Sequence, residues 1–166
     1  DMTLVSLGQV TGTALPTTTA ALRANLQSST AVTAGYTVGD MNAGTTSPQF
    51  ETSIEFYDSQ GGARPLRLAF IKSAANTWEY EVIYDGNAAD IGGAASNPIA
   101  TGTLAFNTDG TIQTPLTAPT ITVPFVAASG LAPQPIDVTF GTPGQADGFT
   151  QFDTTSTLYS SDVNGT

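Results

Sequence analysis

The sequence contains neither cysteine nor histidine, and only four of its 166 residues are basic. Without cysteine there is no disulfide framework and no thiolate chemistry. Without histidine the commonest general base and metal ligand is missing, and a Ser-His catalytic triad is excluded. We therefore expect a protein that is not an enzyme, with no catalytic, cofactor-binding or metal-binding residues and no cofactor.

The charge balance is strongly acidic, with 14 Asp and Glu residues and a formal net charge of -10. Nucleic acids and anionic membranes are bound through Lys and Arg, so we expect neither as a partner. There is no signal peptide and no apolar run of about 18 residues, the length of a membrane-spanning helix. Because the sequence starts at Asp1 without an initiator Met, we expect that it was cut from a longer protein whose export signal lies elsewhere.

Thr is the commonest residue, and 17 Gly and 10 Pro accompany it. β-branched residues between Gly, Pro, Asn and Asp turns are typical of β proteins. A disordered linker would share the low charge and the many Thr, Ser and Gly residues. Several apolar runs built around aromatic residues favour a packed core instead.

The segment 50–84 carries the clearest pattern, because apolar residues alternate with polar ones through three runs separated by turns at 58–62 and 72–76. This pattern predicts three strands of an antiparallel meander, with the aromatic face inward and Glu and Lys outward. The residues that we expect to be buried together are Phe50, Ile54, Phe56, Leu66, Leu68, Phe70, Trp78, Tyr80 and Val82.

Further strands are predicted at 22–26, 103–107, 111–114, 120–125, 136–140 and 149–152, with a last one in the tail from Thr155. Asp109-Gly110 indicates a tight hairpin, and the prolines from 115 to 135 indicate edge or interrupted strands. The segments 27–48 and 85–98 are predicted loops, the first anchored by Tyr36, Val38 and Met41. Since no window shows helical periodicity, the predicted fold is all-β: an antiparallel sheet folded as a barrel or sandwich, with very little helix.

Two acidic turns resemble functional sites at first sight. Asp58 and Ser59 could form a catalytic pair, but without a base they are better explained by turn hydrogen bonds to backbone amides. Asp85, Asn87 and Asp90 look faintly like part of a calcium loop. Since position five of such a loop would be Ala89 and no bidentate Glu follows, we reject an EF-hand.

Four glutamates on predicted strands, Glu51, Glu55, Glu79 and Glu81, could be paired acid/base carboxylates. Two solvated strand faces explain all four, so we predict that they are exposed. Trp78 and Tyr80 could stack against a carbohydrate, but an aromatic stripe at period 2 is more often core. Asn164-Gly-Thr is formally an N-glycosylation sequon, which we treat as a chance match.

Most of the chain resembles the middle region of the bacterial flagellar hook protein family. The resemblance is carried, in order, by LRANLQSS (22–29), GDMNAGTTSPQFETSIEFYDSQGGARPLRLAFIK (39–72), NTWEYEV (76–82), TGTLAFNTDGTI (101–112), FTQFDTTS (149–156) and the turn at Asp162–Gly165. Each piece alone is weak, but five in the right order make a specific match. Arg64-Pro65 departs from the family pattern, and 85–100 and 113–148 do not align clearly.

The resemblance implies a structural subunit of the hook, the curved tubular joint that transmits motor torque from rod to filament. It implies residues 1–21 as a linker or the edge of an inner hook domain, 22–152 as a β-rich outer domain, and 153–166 as a strand returning towards the inner domain. The implied partners are other copies in a helical tube, and hook-capping, rod and hook–filament junction proteins reached through terminal regions. The implied location is the extracellular flagellum, after export without a cleaved signal peptide.

Two other functions fit the composition. A secreted carbohydrate-binding or adhesin domain would also be acidic and all-β, and would expose an aromatic platform or a calcium site. A secreted hydrolase would need two carboxylates facing one cleft.

Overall fold

Ten β-strands dominate the computed structural model, which describes residues 13–166. The strands are β1 (Thr19–Asn25), β2 (Phe50–Tyr57), β3 (Ala63–Ala74), β4 (Thr77–Tyr84), β5 (Ala100–Phe106), β6 (Ile112–Thr114), β7 (Thr120–Val123), β8 (Gln134–Thr139), β9 (Phe149–Thr150) and β10 (Thr157–Val163). One α-helical turn, α1 (Asp40–Ala43), and 3₁₀ turns at Ala88–Ile91, Ala94–Ser96 and Ala127–Ser129 complete the secondary structure of these residues. Helical turns make up about 9% of the structure, so the predicted all-β fold is confirmed.

Strands β2 to β6 pair antiparallel in sequence order, and we call them the meander sheet. Ile54 lies opposite Leu66, and Leu68 lies opposite Val82, so each pair places two apolar side chains on the same face. The predicted turn at 72–76 is shorter in the structure, because β3 continues to Ala74 through an irregularity in its pairing with β4.

The remaining strands form a second sheet, the closing sheet, in the order β10-β1-β8-β7, with β9 also paired to β1. Strand β1 is antiparallel to β10 but parallel to β8 and β9. Parallel neighbours need long connections, and the whole meander sheet lies in sequence between β1 and β8. The sequence pattern gave no signal for these parallel pairs.

Proline limits the closing sheet on one side. Strand β7 lies between Pro119 and Pro124 and pairs only with β8 among the described strands, as expected for an edge strand. Pro135 lies in β8, but the pairing of β8 with β1 begins only at Asp137. Pro135 therefore lies at a position of β8 that does not pair with β1.

The core lies between the inner faces of the two sheets. Of the nine residues predicted to be buried together, eight are at most 5% exposed, and Phe50 is half-buried and packs against them. Aromatic rings join the sheets: the ring centroids of Phe70 and Phe149 are 5.2 Å apart, and those of Tyr80 and Phe140 are 4.9 Å apart. Such aromatic contacts contribute about 0.5–1.5 kcal/mol beyond the burial of their area.

The loop 27–48 covers part of the other face of the meander sheet. Tyr36 and Met41 of this loop pack against Ala69 and Ile71 of β3, which makes a second, smaller apolar cluster. The prediction that Tyr36 and Met41 anchor the loop is confirmed, but Val38 is wrong as an anchor because it is 63% exposed. Strand β4 is consequently buried on both faces towards its end.

The predicted division of the chain at 21/22 and 152/153 stays a prediction. Residues 1–12 of the proposed linker lie outside the described residues. Strand β1 begins at Thr19 and pairs along its length with β10, and the backbones of Leu15 and Thr166 exchange two hydrogen bonds. The segments at 15–17 and 164–166 therefore run side by side.

Candidate functional site

The Asp58–Gly62 turn uses Asp58 as its internal acceptor. One carboxylate oxygen accepts the amides of Gln60 at 2.8 Å and Gly62 at 2.9 Å, and the other accepts Arg64 Nε at 2.8 Å. Burial alone would raise the pKa of Asp58, but these hydrogen bonds together hold it below its usual value. Ser59 is exposed beside it. One carboxylate oxygen closes the turn, as the turn interpretation predicts, and the other pairs with Arg64 beyond the turn.

Arg64, which departs from the family pattern, is the centre of a polar cluster. Its guanidinium donates to Asp58, to Asp90 at 2.9 Å and to the Tyr84 hydroxyl at 3.0 Å. It also lies over the Phe125 ring, 5.5 Å from the centroid. The hydrogen bond to Asp58 raises the pKa of Arg64 above its usual value. Arg64 thereby ties the first meander turn to the segment that follows β4 and to the residues after β7.

The three residues of the rejected calcium loop form hydrogen bonds or ion pairs with other parts of the protein. Asp90 accepts Arg64 and the Tyr84 hydroxyl, and Asn87 accepts the amide of Ala89 at the start of a 3₁₀ turn. Asp85 is exposed, 3.9 Å from Arg67 Nε. Within residues 13–166 no cluster of three or more acidic side chains is arranged to hold a metal ion.

Three of the four strand glutamates lie at the surface of the meander sheet. Glu51 pairs with Arg67 at 2.6 Å, and Glu55 is exposed. Glu79 is half-buried and accepts the hydroxyls of Ser73 and Thr103, both at 2.8 Å. The three carboxylates lie on strand faces, as predicted, although only Glu51 and Glu55 are classed as exposed and Glu79 is half-buried.

Glu81 was predicted to be exposed, and this is wrong. Its side chain is 0% exposed, because the loop 27–48 folds over it. It accepts the Tyr36 hydroxyl at 2.7 Å and three backbone amides of the loop, those of Gly39, Met41 and Asn42, at 2.8–3.1 Å. Burial and the bond to Glu81 raise the pKa of Tyr36 well above its usual value. Glu81 therefore fastens the loop to the sheet.

Lys72 was also predicted to point outward, and it is buried at 7% exposure. Its ammonium donates to the carbonyl of Ser28 at 2.6 Å, and its backbone bonds to Thr33 and to the side chain of Gln49. The same loop explains both errors: a loop of low hydrophobicity gives no sequence signal that it will cover polar strand residues.

Trp78 is fully buried and does not form a carbohydrate platform. Its indole N–H donates to Gln151 at 2.8 Å, and Gln151 donates to Asn76 at 2.8 Å. Tyr80 is 4% exposed. The interpretation of both residues as core is thus confirmed.

Asn164, the residue of the formal sequon, closes the chain end onto β1. Its side-chain oxygen accepts the amides of Thr18 and Thr19 at 2.8 and 3.0 Å, and its nitrogen donates to the Thr18 hydroxyl at 2.8 Å. The Thr17 hydroxyl donates to the Asn164 carbonyl at 2.7 Å. The side chain therefore joins residue 164 to the segment that leads into β1.

A groove of about 170 Å³ lies beside the segment at 15–17 that runs along residues 164–166. Gln134 holds together the two chain segments that contain Thr17 and Tyr57. Its side-chain nitrogen donates to the carbonyls of both residues at 2.9 Å. No lining residue carries a charge; they are Pro16, Thr17, Thr18, Ser59, Ala132, Pro133, Gln134 and Pro135. The groove thus lacks the two facing carboxylates that a hydrolase would need.

These features define a structural β domain, in which polar side chains mostly close turns and fasten loops. The family model of the flagellar basal body protein FlaE D2 domain matches residues 25–166. The chain belongs to this family. The match covers the two poorly aligned segments, the last four motif pieces in full and residues 25–29 of the first piece.

The curated relatives are flagellar hook proteins. The chain is 34% identical over 120 residues to FlgE of Helicobacter pylori, covering 69% of this chain, and 36% identical over 97 residues to FlgE of Rhizobium meliloti, covering 55%. FlgE of Caulobacter vibrioides is 29% identical over 147 residues, covering 72%. The chain spans only 16–24% of the length of these relatives.

A solved structure has a similar fold. The 32 kDa fragment of the flagellar hook protein FlgE from Caulobacter crescentus matches with a TM-score of 0.60 and 23% sequence identity, covering 78% of this chain and 52% of that one. At this identity the likeness supports the fold.

No helix within residues 13–166 is long and apolar enough to cross a membrane.

Proposed function

We propose that this chain is part of a structural subunit of the bacterial flagellar hook, the curved tube that joins rod to filament and transmits motor torque. The observation that carries the proposal is the D2-domain family match across residues 25–166, in a chain whose curated relatives are hook proteins. The proposal concerns the longer protein, since the chain spans a small share of those relatives.

The interior suits a domain that moves as one body. Both sheets share one large apolar cluster, and the loop 27–48 is fastened by Glu81 and Lys72. A close-packed core transmits force without local yielding. A hook that bends as it turns then changes the contacts between domains and not the domains themselves.

We propose copies of the same subunit as the main partners, in a helical tube. Hook-capping, rod and hook–filament junction proteins are further proposed partners, reached through other regions of the subunit. The proposed location is the hook outside the cell, after export without a cleaved signal peptide. Family membership is what supports these points.

We also propose that residues 22–152 form the outer hook domain, and that 1–21 and 153–166 lead towards an inner one. The side-by-side course of residues 15–17 and 164–166 supports this, since it directs both segments to one point of the domain.

We propose no catalytic activity. The engaged carboxylates of Asp58 and Glu81 and the uncharged groove support this reading. A carbohydrate-binding or adhesin domain is not favoured, because Trp78 and Tyr80 are in the core.

Deleting the gene in the bacterium that encodes the chain tests the proposal. The expected result is cells whose basal bodies, seen by electron microscopy, carry rods without hooks, and which regain hooks and motility with a plasmid copy. Mutant cells with intact hooks of normal shape would overturn it.

A further inference from the structure

Charge is unevenly distributed along the chain, and of several stretches that carry none the longest spans residues 110–136. Residues 110–136 contain no Asp, Glu, Lys or Arg, in a chain of net charge -10. The stretch provides β6, β7, a 3₁₀ turn and the start of β8. Where the net charge is this negative, two copies approach with least repulsion through surfaces without charge.

This uncharged stretch carries an apolar projection at one place and part of the groove at another. Leu116, in the connection between β6 and β7, is 74% exposed. Ala132, Pro133, Gln134 and Pro135 form one wall of the groove. A large exposed apolar side chain and, at another place on the same molecule, an uncharged groove are a pattern expected of an interaction surface.

The two features lie towards opposite ends of β7. Val123 pairs with Gln134 at the groove end, Thr120 pairs with Asp137, and Pro119 accepts the amide of Val138 further on. Leu116 precedes Pro119 in the chain, is 74% exposed and is not among the residues that line the groove. Leu116 therefore does not fill the groove of its own copy.

We propose that Leu116 of one copy of the domain inserts into the groove between Pro16, Ser59 and residues 132–135 of the next copy. Because projection and groove are different patches, the contact is head-to-tail, which is the type of contact that open helical assemblies such as a tube are built from. A groove of about 170 Å³ has room for the four carbons of a leucine side chain, since a cavity of about 150 Å³ binds benzene.

The groove is preformed, which lowers the entropy lost on binding. Gln134 holds the carbonyls of Thr17 and Tyr57, and the Thr17 hydroxyl also accepts the Tyr57 amide at 2.9 Å. The first charged residue after the uncharged stretch, Asp137, accepts the Thr120 hydroxyl at 2.6 Å.

The proposed contact between Leu116 and the groove deepens the proposed function and rests on it, because it assigns a surface to contacts between subunits.

Disulfide trapping tests the contact, since the chain has no cysteine of its own. The double variant Thr117→Cys/Ala132→Cys, which keeps Leu116 and uses its exposed neighbour, is oxidised at about 1 mM, where contacts with millimolar dissociation constants are populated. The matched control is Val38→Cys/Ala132→Cys, because Val38 is similarly exposed, at 63%, but lies in another loop. Equal melting temperatures of all variants establish that each is folded.

The expected result is a ladder of dimers, trimers and longer oligomers on non-reducing gels, about tenfold stronger than in the control. Each single variant should stop at dimers. A second pair, Thr117→Cys/Ser59→Cys, should give the same ladder from another wall. Equal ladders in the control, or none in either Thr117 pair, would overturn the contact. The hook proposal is tested by gene deletion and would stand or fall separately.

Discussion

Replacing Glu81 tests whether this residue fastens the loop 27–48 to the meander sheet. The exposed glutamates of the same sheet serve as the comparison. Glu81 is fully buried and accepts four hydrogen bonds from the loop 27–48, whereas Glu55 is exposed. The alternation of apolar and polar residues alone predicts that neither Glu81→Lys nor Glu55→Lys harms folding. From the structure, Glu81→Lys should damage folding and Glu55→Lys should not.

The magnitude follows from the contacts of Glu81. A hydrogen bond to a charged group contributes about 1.5–3 kcal/mol, and Glu81→Gln turns one of the two acceptor oxygens into a donor. We expect Glu81→Gln to lose about 1.5–3 kcal/mol. Glu81→Lys buries an unpaired charge against amide donors and should lose about 3–5 kcal/mol. The opening of the loop to water limits the loss, because the freed amides then bond to solvent.

Urea unfolding followed by tryptophan fluorescence measures these losses, since Trp78 is the single tryptophan and is fully buried. Glu55→Gln and Glu55→Lys are the matched controls and should stay within about 0.5 kcal/mol of the parent. A Glu81→Gln variant as stable as Glu55→Gln would refute the fastening role of Glu81.

Three further predictions concern the core, the first turn and the fold. Trp78→Ala should lose about 3–5 kcal/mol in urea unfolding followed by circular dichroism, and an unchanged midpoint would contradict its core position. Although burial alone would raise it, the pKa of Asp58 is held down by its hydrogen bonds, so its contribution is present above the unfolded pKa and is lost as pH falls below about 4. Asp58→Asn should therefore flatten the acid side of a stability–pH profile, and a profile as steep as the parent's would count against this. Far-ultraviolet circular dichroism should show less than about a fifth helix, and a larger share would contradict the all-β fold.

The sequence was sufficient to predict the inner face of the meander sheet. Leu66, Leu68, Trp78 and Val82 alternate with polar residues, and this alternation directly reports which face meets the core. The Asp58 turn was equally predictable, because Asp bonds its own backbone locally. In both cases the deciding interactions lie within a few residues or within one hairpin.

The sequence was insufficient where distant segments meet. Glu81 and Lys72 occupy polar positions in the strand pattern, and their burial depends on a loop some 40 residues away in the chain. The parallel pairing of β1 with β8 and the polar cluster around Arg64 likewise join segments that no local pattern connects. The groove was also missed, because its walls come from three separate segments.

Locating the chain in living cells tests the central claim most directly. A Val38→Cys change in the chromosomal gene adds an exposed thiol to a segment without cysteine, and a fluorescent maleimide then labels it. If the chain is part of the hook, each flagellum should show one short labelled spot at its base, and the parent strain should show none there. Label along the whole filament, or spread over the cell surface away from flagella, would contradict the account.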